Sequence, residues 1–238
     1  MNRFDSHSVH AGYETNVARE NAAFLRKVYL IMAGGLGATG ATALAVASTP
    51  FLTTLIFTNP LVFYGLIAIE LVMVFSFSAV ARRVSAVTAG ALFMTYAIVN
   101  GITMSAIFLV YTSSSIATTF FVTGGTFAAM SAYGYATKRE LSGLGHFARM
   151  GLIGLIIASL VNIFLRSPML QWLTTFVGVI VFTCLVAYDT QKIKQLNIIG
   201  NEGTEEDHKE ALHGALILYL DFINLFLFML RILGGRRD

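Results

Sequence analysis

The chain has 238 residues, of which 56% are hydrophobic and only 12% charged, with 19 Phe and 9 Met. That balance lies far outside an ordinary water-soluble domain and points to a polypeptide whose solvent is largely hydrocarbon. A formal net charge of +3 would raise nucleic acid as a partner of a soluble protein, but here the basic residues follow the connections between apolar runs, so no nucleic-acid partner is expected.

Crossing a hydrocarbon core roughly 30 Å thick takes about 20 helical residues. In chain order, seven runs reach or approach that length: Val28 to Ser48, Asn59 to Ala81, Ser85 to Tyr111, Ile116 to Ala136, Met150 to Leu165, Leu170 to Gln191 and Leu212 to Leu230. They show no alternation of polar and apolar residues and are too long for single strands, which excludes a closed barrel. The predicted fold class is an all-α membrane protein, a seven-transmembrane-helix bundle. Residues 1–27 form a polar N-terminal arm and residues 28–238 the transmembrane domain. ALAVAS at the end of the first run offers small residues for signal cleavage. The run is longer than a signal core and further spans follow, so a retained first helix is expected.

Lys and Arg prefer cytoplasmic loops. Arg3, Arg19, Arg26, Lys27, Arg82, Arg83, Lys138, Arg139, Arg149, Lys192, Lys194 and Lys209 all fall on one face, which makes the N-terminus cytoplasmic. The opposite connections, from Thr49 to Thr58 and from Thr112 to Ser115, carry none, and Arg166 is the lone cation between the fifth and sixth runs. Seven crossings put Arg231, Arg236 and Arg237 on that opposite face. Either the earlier loops dominate the orientation or the last segment is re-entrant; crossing is the favoured reading.

Most motifs have a plain explanation. Gly35 to Gly40 formally matches G-x-G-x-x-G, but no strand precedes it, and small residues permitting close helix contact explain it better. Val122 to Ser131 reads the same way. Cys184, the only cysteine, rules out an intramolecular disulfide and a cysteine metal cluster. His208 and His213 near Glu205, Glu206 and Asp207 could catch a metal, although a solvated acidic loop is the better reading. No permanent metal, cofactor or enzymatic chemistry is expected. No lysine lies inside a run, so a retinal Schiff base cannot form.

Three carboxylates do lie inside apolar runs: Glu70, Asp189 and Asp221. A carboxylate there costs at least ~2.5 kcal/mol, which makes each a functional-site hypothesis. Asn100, Asn162 and Asn224 add polar atoms, and Asn224 follows Asp221 by three residues on one helix face. Together these six predict a polar thread lining a pore. Two aspartates about 4 Å apart at an effective dielectric near 20 repel by ~4 kcal/mol, so a close pair shares one proton and senses pH. The alternative is that each aspartate joins helices by bonding hydroxyls such as Thr190 or Tyr219. An intramembrane aspartyl protease also uses two aspartates, and it ranks last because no family motif accompanies them.

AYDTQKIK followed by LYLDFINLFLFMLRILG strongly resembles the end of the Bax inhibitor-1 family, in its bacterial inner-membrane branch. ARR after the second run, NGITMS in the third and YGYATKRELSG after the fourth extend the resemblance over nearly the whole chain. The resemblance implies a central last helix surrounded by the other six, and a pH-sensitive calcium leak gated by a dyad, here Asp189 and Asp221. It also implies a latch arginine at the end of the second helix. Arg83 is the first candidate and Arg82 the second, while alignment on Glu70 would place Ala81 there.

The mechanism expected on these grounds is passage of calcium, with transient oxygen ligation near Asp189, Asp221 and Glu70. The competing reading is a non-conducting regulatory protein that binds other membrane proteins, such as a membrane-anchored protease, through its loops or arm. The dyad requires equal depth. Asp189 lies three residues before Lys192, roughly 5 Å, whereas Asp221 lies nine after Leu212, roughly 14 Å. The two meet only if the sixth helix runs on past the membrane surface or the seventh begins late.

Overall fold

A computed structural model describes residues 3–81 and 83–237, with side chains from residue 16 onward except that of Ser78. Its helices are α1 (Arg3–Ala47), α2 (Pro50–Phe57), α3 (Pro60–Ala81), α4 (Ala86–Met104), α5 (Ala106–Val110), α6 (Ser113–Ala136), α7 (Ser142–Leu165), α8 (Pro168–Leu196) and α9 (Glu205–Leu233). The three prolines of the chain all open helices, at Pro50, Pro60 and Pro168, where a missing N–H is not needed. Side-chain caps open others: Ser85 accepts from Thr88 N, Thr112 from Ser115 N, Ser167 from Leu170 N and Thr204 from Asp207 N.

The expected seven long helices are present. Six are long and apolar enough to cross a membrane among the described residues. The seventh, α6, is richer in Ser, Thr and Gly and packs within the bundle against α8 and α9. The arm is not separate, because α1 continues back through it to Arg3. The connection between the first two spans contains a helical turn pair, α2, and the third span breaks at Ser105, whose hydroxyl donates to Ile102 O at 2.6 Å. Helix α7 begins at Ser142, ahead of the expected Met150, which brings His146 and Arg149 into the helix.

Helix α9 forms the centre. It packs against α8, α1, α6 and α4 and touches α3, while α7 packs on α8 and shares with α9 a buried cluster that includes Leu155, Leu225 and Met229. Polarity is inverted relative to a soluble protein: Phe164 is 87% exposed and Leu61 85%, whereas Asp221 is 5% exposed. Outer apolar faces of this kind meet lipid. Small residues allow the close crossings, as expected: the Phe93 ring lies 2.5 Å from where a Cβ on Gly35 would stand.

Helix α9 also joins the two ends of the bundle. At its start Asp207 meets Lys27 of α1 at 2.5 Å. At its end the tail turns back along the α5–α6 connection, with Thr112 N donating to Gly235 O at 3.1 Å and Arg237 N to Val110 O at 2.9 Å. An unbroken helix of 29 residues, ~43 Å long at 1.5 Å per residue, is long and apolar enough to cross a membrane.

Candidate functional site: a buried aspartate pair

The depth requirement is met because both helices are longer than the apolar runs that marked them. Helix α8 continues to Leu196 and α9 begins at Glu205. Their register is set by two glycines: the space beside Gly178 is filled by the Phe228 ring and that beside Gly214 by Ile193. Between these contacts, Asp189 comes to the level of Asp221, and the two carboxyl groups lie within hydrogen-bonding reach of each other.

Asp221 is buried and Asp189 half-buried. Oδ2 of Asp221 is enclosed and has no hydrogen-bond partner among the described residues. The hydroxyls that could have made the aspartates simple helix joints are engaged elsewhere. Thr190 Oγ1 donates to Ser131 Oγ at 3.2 Å, and Tyr219 donates to Asn100 Oδ1 at 3.0 Å. A buried carboxylate oxygen left without a donor is costly, and a close pair of such groups gains from a shared proton or from a bound cation.

The cations that face Asp189 are Lys192 and Arg149. Arg149 is held by three contacts: Nε donates to Gly145 O at 3.2 Å, Nη2 donates to Tyr188 Oη at 2.8 Å, and the guanidinium lies 5.0 Å from the Tyr188 ring centre. The sequence reading missed this role because Arg149 counted only as a loop charge. Its signal was the i, i+4 spacing from Gly145, which only a helix starting before Met150 makes meaningful. Of the two latch candidates, Arg83 is exposed beyond the end of α3, and Arg82 lies outside the described residues.

Glu70 belongs to a different cluster. Thr103 Oγ1 donates to its Oε1 at 2.5 Å and Asn100 Nδ2 to its Oε2 at 3.3 Å. Tyr219 supplies the next link through Asn100, and Thr39 Oγ1 lies 2.6 Å from Tyr219 Oη. The chain Tyr219 to Asn100 to Glu70 therefore ties α9, α4 and α3 together, with Thr39 adding α1. Residues two apart on a helix differ by about 200°, so α9 shows Tyr219 to this cluster and Asp221 to α8.

The remaining predicted residues do not join a single thread. Asn162 sits near the end of α7, where its Oδ1 accepts from Ser167 N at 2.9 Å. Asn224 Nδ2 donates to Leu220 O at 2.8 Å and lines a groove with Leu155 and Phe228. Asp207 departs from the solvated acidic loop: it is 2% exposed, paired with Lys27 and accepts from Gly203 N at 2.8 Å.

These features define a multi-pass membrane protein with an ionisable pair enclosed between two of its helices. The model of the family described as inhibitor of apoptosis-promoting Bax1 matches residues 21–238, and the chain belongs to this Bax inhibitor-1 family. Inner membrane protein YbhL of Escherichia coli is 48% identical over 215 residues, 90% of this chain and 92% of that one. A protein of Borreliella burgdorferi is 43% identical over 215 residues, 90% and 93% of the two chains. A membrane protein of Streptococcus pyogenes is 36% identical over 214 residues, 89% and 92%.

Proposed function

We propose that this protein is a pH-sensitive calcium leak of the inner membrane, N-terminus in the cytoplasm, in which Asp189 and Asp221 form the proton-sharing gate. The observation that carries the reading is the enclosed contact between the two carboxyl groups, with Asp221 Oδ2 left without a donor. Protons and a hard divalent cation compete for the same oxygen atoms, because calcium takes carboxylate ligands. The pair can then couple pH to ion passage without any further sensor. Arg149 and Lys192, on the Asp189 side, hold that carboxylate by attraction, while Asp221 answers to its neighbour.

Calcium flux into proteoliposomes, measured across pH for the wild type and for Asp189→Asn and Asp221→Asn, tests this. Each substitution removes the shared-proton equilibrium, so flux in each variant is expected to lose most of its dependence on pH. An unchanged pH profile in both variants eliminates the dyad as sensor. Absence of flux from the wild type at every pH favours instead the non-conducting regulatory role.

A further inference from the structure

Three of the four arginines that sit on the face other cations avoid converge on one cavity. Between the end of α7, the start of α8 and the tail after α9 lies a cavity of about 760 Å³, and Arg166, Arg231 and Arg236 all line it. Among the described residues no Asp or Glu lines it, and none of the three arginines is in an ion pair. The contrast with the opposite end of α9 is direct, since Lys27 there is matched by a buried Asp207.

Each arginine is placed by backbone structure. Arg166 ends α7 with φ at 48°, the one positive φ of a non-glycine residue among the described ones, and its N–H bonds Asn162 O at 2.8 Å. A left-handed arginine is unfavourable for an L residue, where Gly or Asn would be easier. Arg236 is fixed by the bridge between the tail and Tyr111. Arg231 lies ten residues past Asp221 and carries its guanidinium 5.3 Å from the Phe228 ring centre. Asn162, whose Oδ1 accepts from Ser167 N, has both amide hydrogens free to donate toward the cavity it lines. The start of α8 opens on the same space through Pro168, adding the positive end of a helix.

We infer that this cavity binds a phosphate-bearing anion, either the headgroup of an anionic phospholipid or a soluble phosphate ester. Guanidinium groups match phosphate oxygens two at a time. The volume lies in the range of small-molecule sites and far exceeds one inorganic phosphate. Apolar Ile163 and Trp172 on the wall, 65% and 64% exposed, suit the glycerol or acyl portion beyond the phosphate.

Trp172 is the only tryptophan of the chain and lines the cavity, so its emission reads occupancy directly. The full-length protein in neutral detergent is titrated with short-chain phosphatidylglycerol, with glycerol 3-phosphate and with short-chain phosphatidylcholine. The wild type is expected to give a saturable change with at least one of the first two. Response to phosphatidylglycerol alone assigns a lipid headgroup, and response to glycerol 3-phosphate assigns a soluble ester. Arg166→Asn, chosen because asparagine tolerates the left-handed backbone, Arg231→Gln and Arg236→Gln are each expected to weaken binding about tenfold. Arg231→Lys is expected to fall between wild type and Arg231→Gln. The inference is overturned if neither anion saturates, if phosphatidylcholine responds equally, or if all three neutral variants, folded by circular dichroism, keep the wild-type midpoint.

Discussion

Glu70 and Asp221 are both carboxylic acids inside apolar helices, yet their surroundings are opposite. Both oxygens of Glu70 receive donors, from Thr103 and Asn100, and Asn100 is in turn held by Tyr219, which meets Thr39. Asp221 is more deeply enclosed, its neighbour is another acid, and Oδ2 has no donor among the described residues. An intramembrane acid whose lone pairs are filled serves as a joint, because removing it orphans its donors. One left beside a like group is under electrostatic tension that only a proton or a cation relieves. On the proposed function, the difference separates a joint from a switch without reference to sequence position.

The comparison is calibrated at a third buried acid, Asp207, which has a cation. Lys27→Met leaves that charge buried and alone and is expected to cost ~3–5 kcal/mol, read by chemical unfolding in detergent. Adding Asp207→Leu to it should recover most of the loss. Next in size, Asn100→Leu strips donors or acceptors from both Glu70 and Tyr219, with an expected loss of ~3 kcal/mol in the same assay. Tyr219→Phe keeps the edge-to-face contacts with Phe93 at 5.7 Å and Tyr96 at 5.8 Å and removes one hydroxyl, for about 1 kcal/mol. Asp221→Asn should change stability by less than about 1 kcal/mol, because it relieves repulsion while keeping the shape. A loss equal to that of Asn100→Leu would break the distinction and make the dyad a joint as well. The smallest effect is expected of Glu70→Gln on calcium flux, which should stay near the wild-type level; loss of flux would restore Glu70 as a stop along the ion path.

The long helices were legible because hydrocarbon demands continuous apolar runs, and the aspartates stood out because, with Glu70, they are the only acids in those runs. Helix ends were not legible, since α7, α8 and α9 continue into polar sequence where the bilayer no longer dictates composition. That is why Arg149 read as a loop residue and why Asp189 and Asp221 first looked too far apart in depth. The Glu70 cluster was visible only as scattered Asn and Glu. Its assembly depends on Thr39 and Tyr219, ordinary residues that become partners when α1, α4 and α9 cross. Asn162 and Asn224 share a residue type with Asn100 but satisfy backbone groups of their own neighbourhood, which composition does not distinguish. Arg231 and Arg236 broke the rule of charge bias, and the cavity they share with Arg166 gives that exception a place in the fold.

The central position of α9 has a consequence for biosynthesis. Among the described helices it follows α1 to α8 in chain order, so the ribosome has delivered those before the helix at the centre exists. Until α9 inserts, Thr39, Asn100 and Asp189 lack the partners that α9 brings, and polar groups in hydrocarbon then seek substitutes. A chain halted ahead of Glu205 therefore has Asp189 without the helix it packs beside. Incompletely assembled intermediates of this kind are the species that chaperones generally engage.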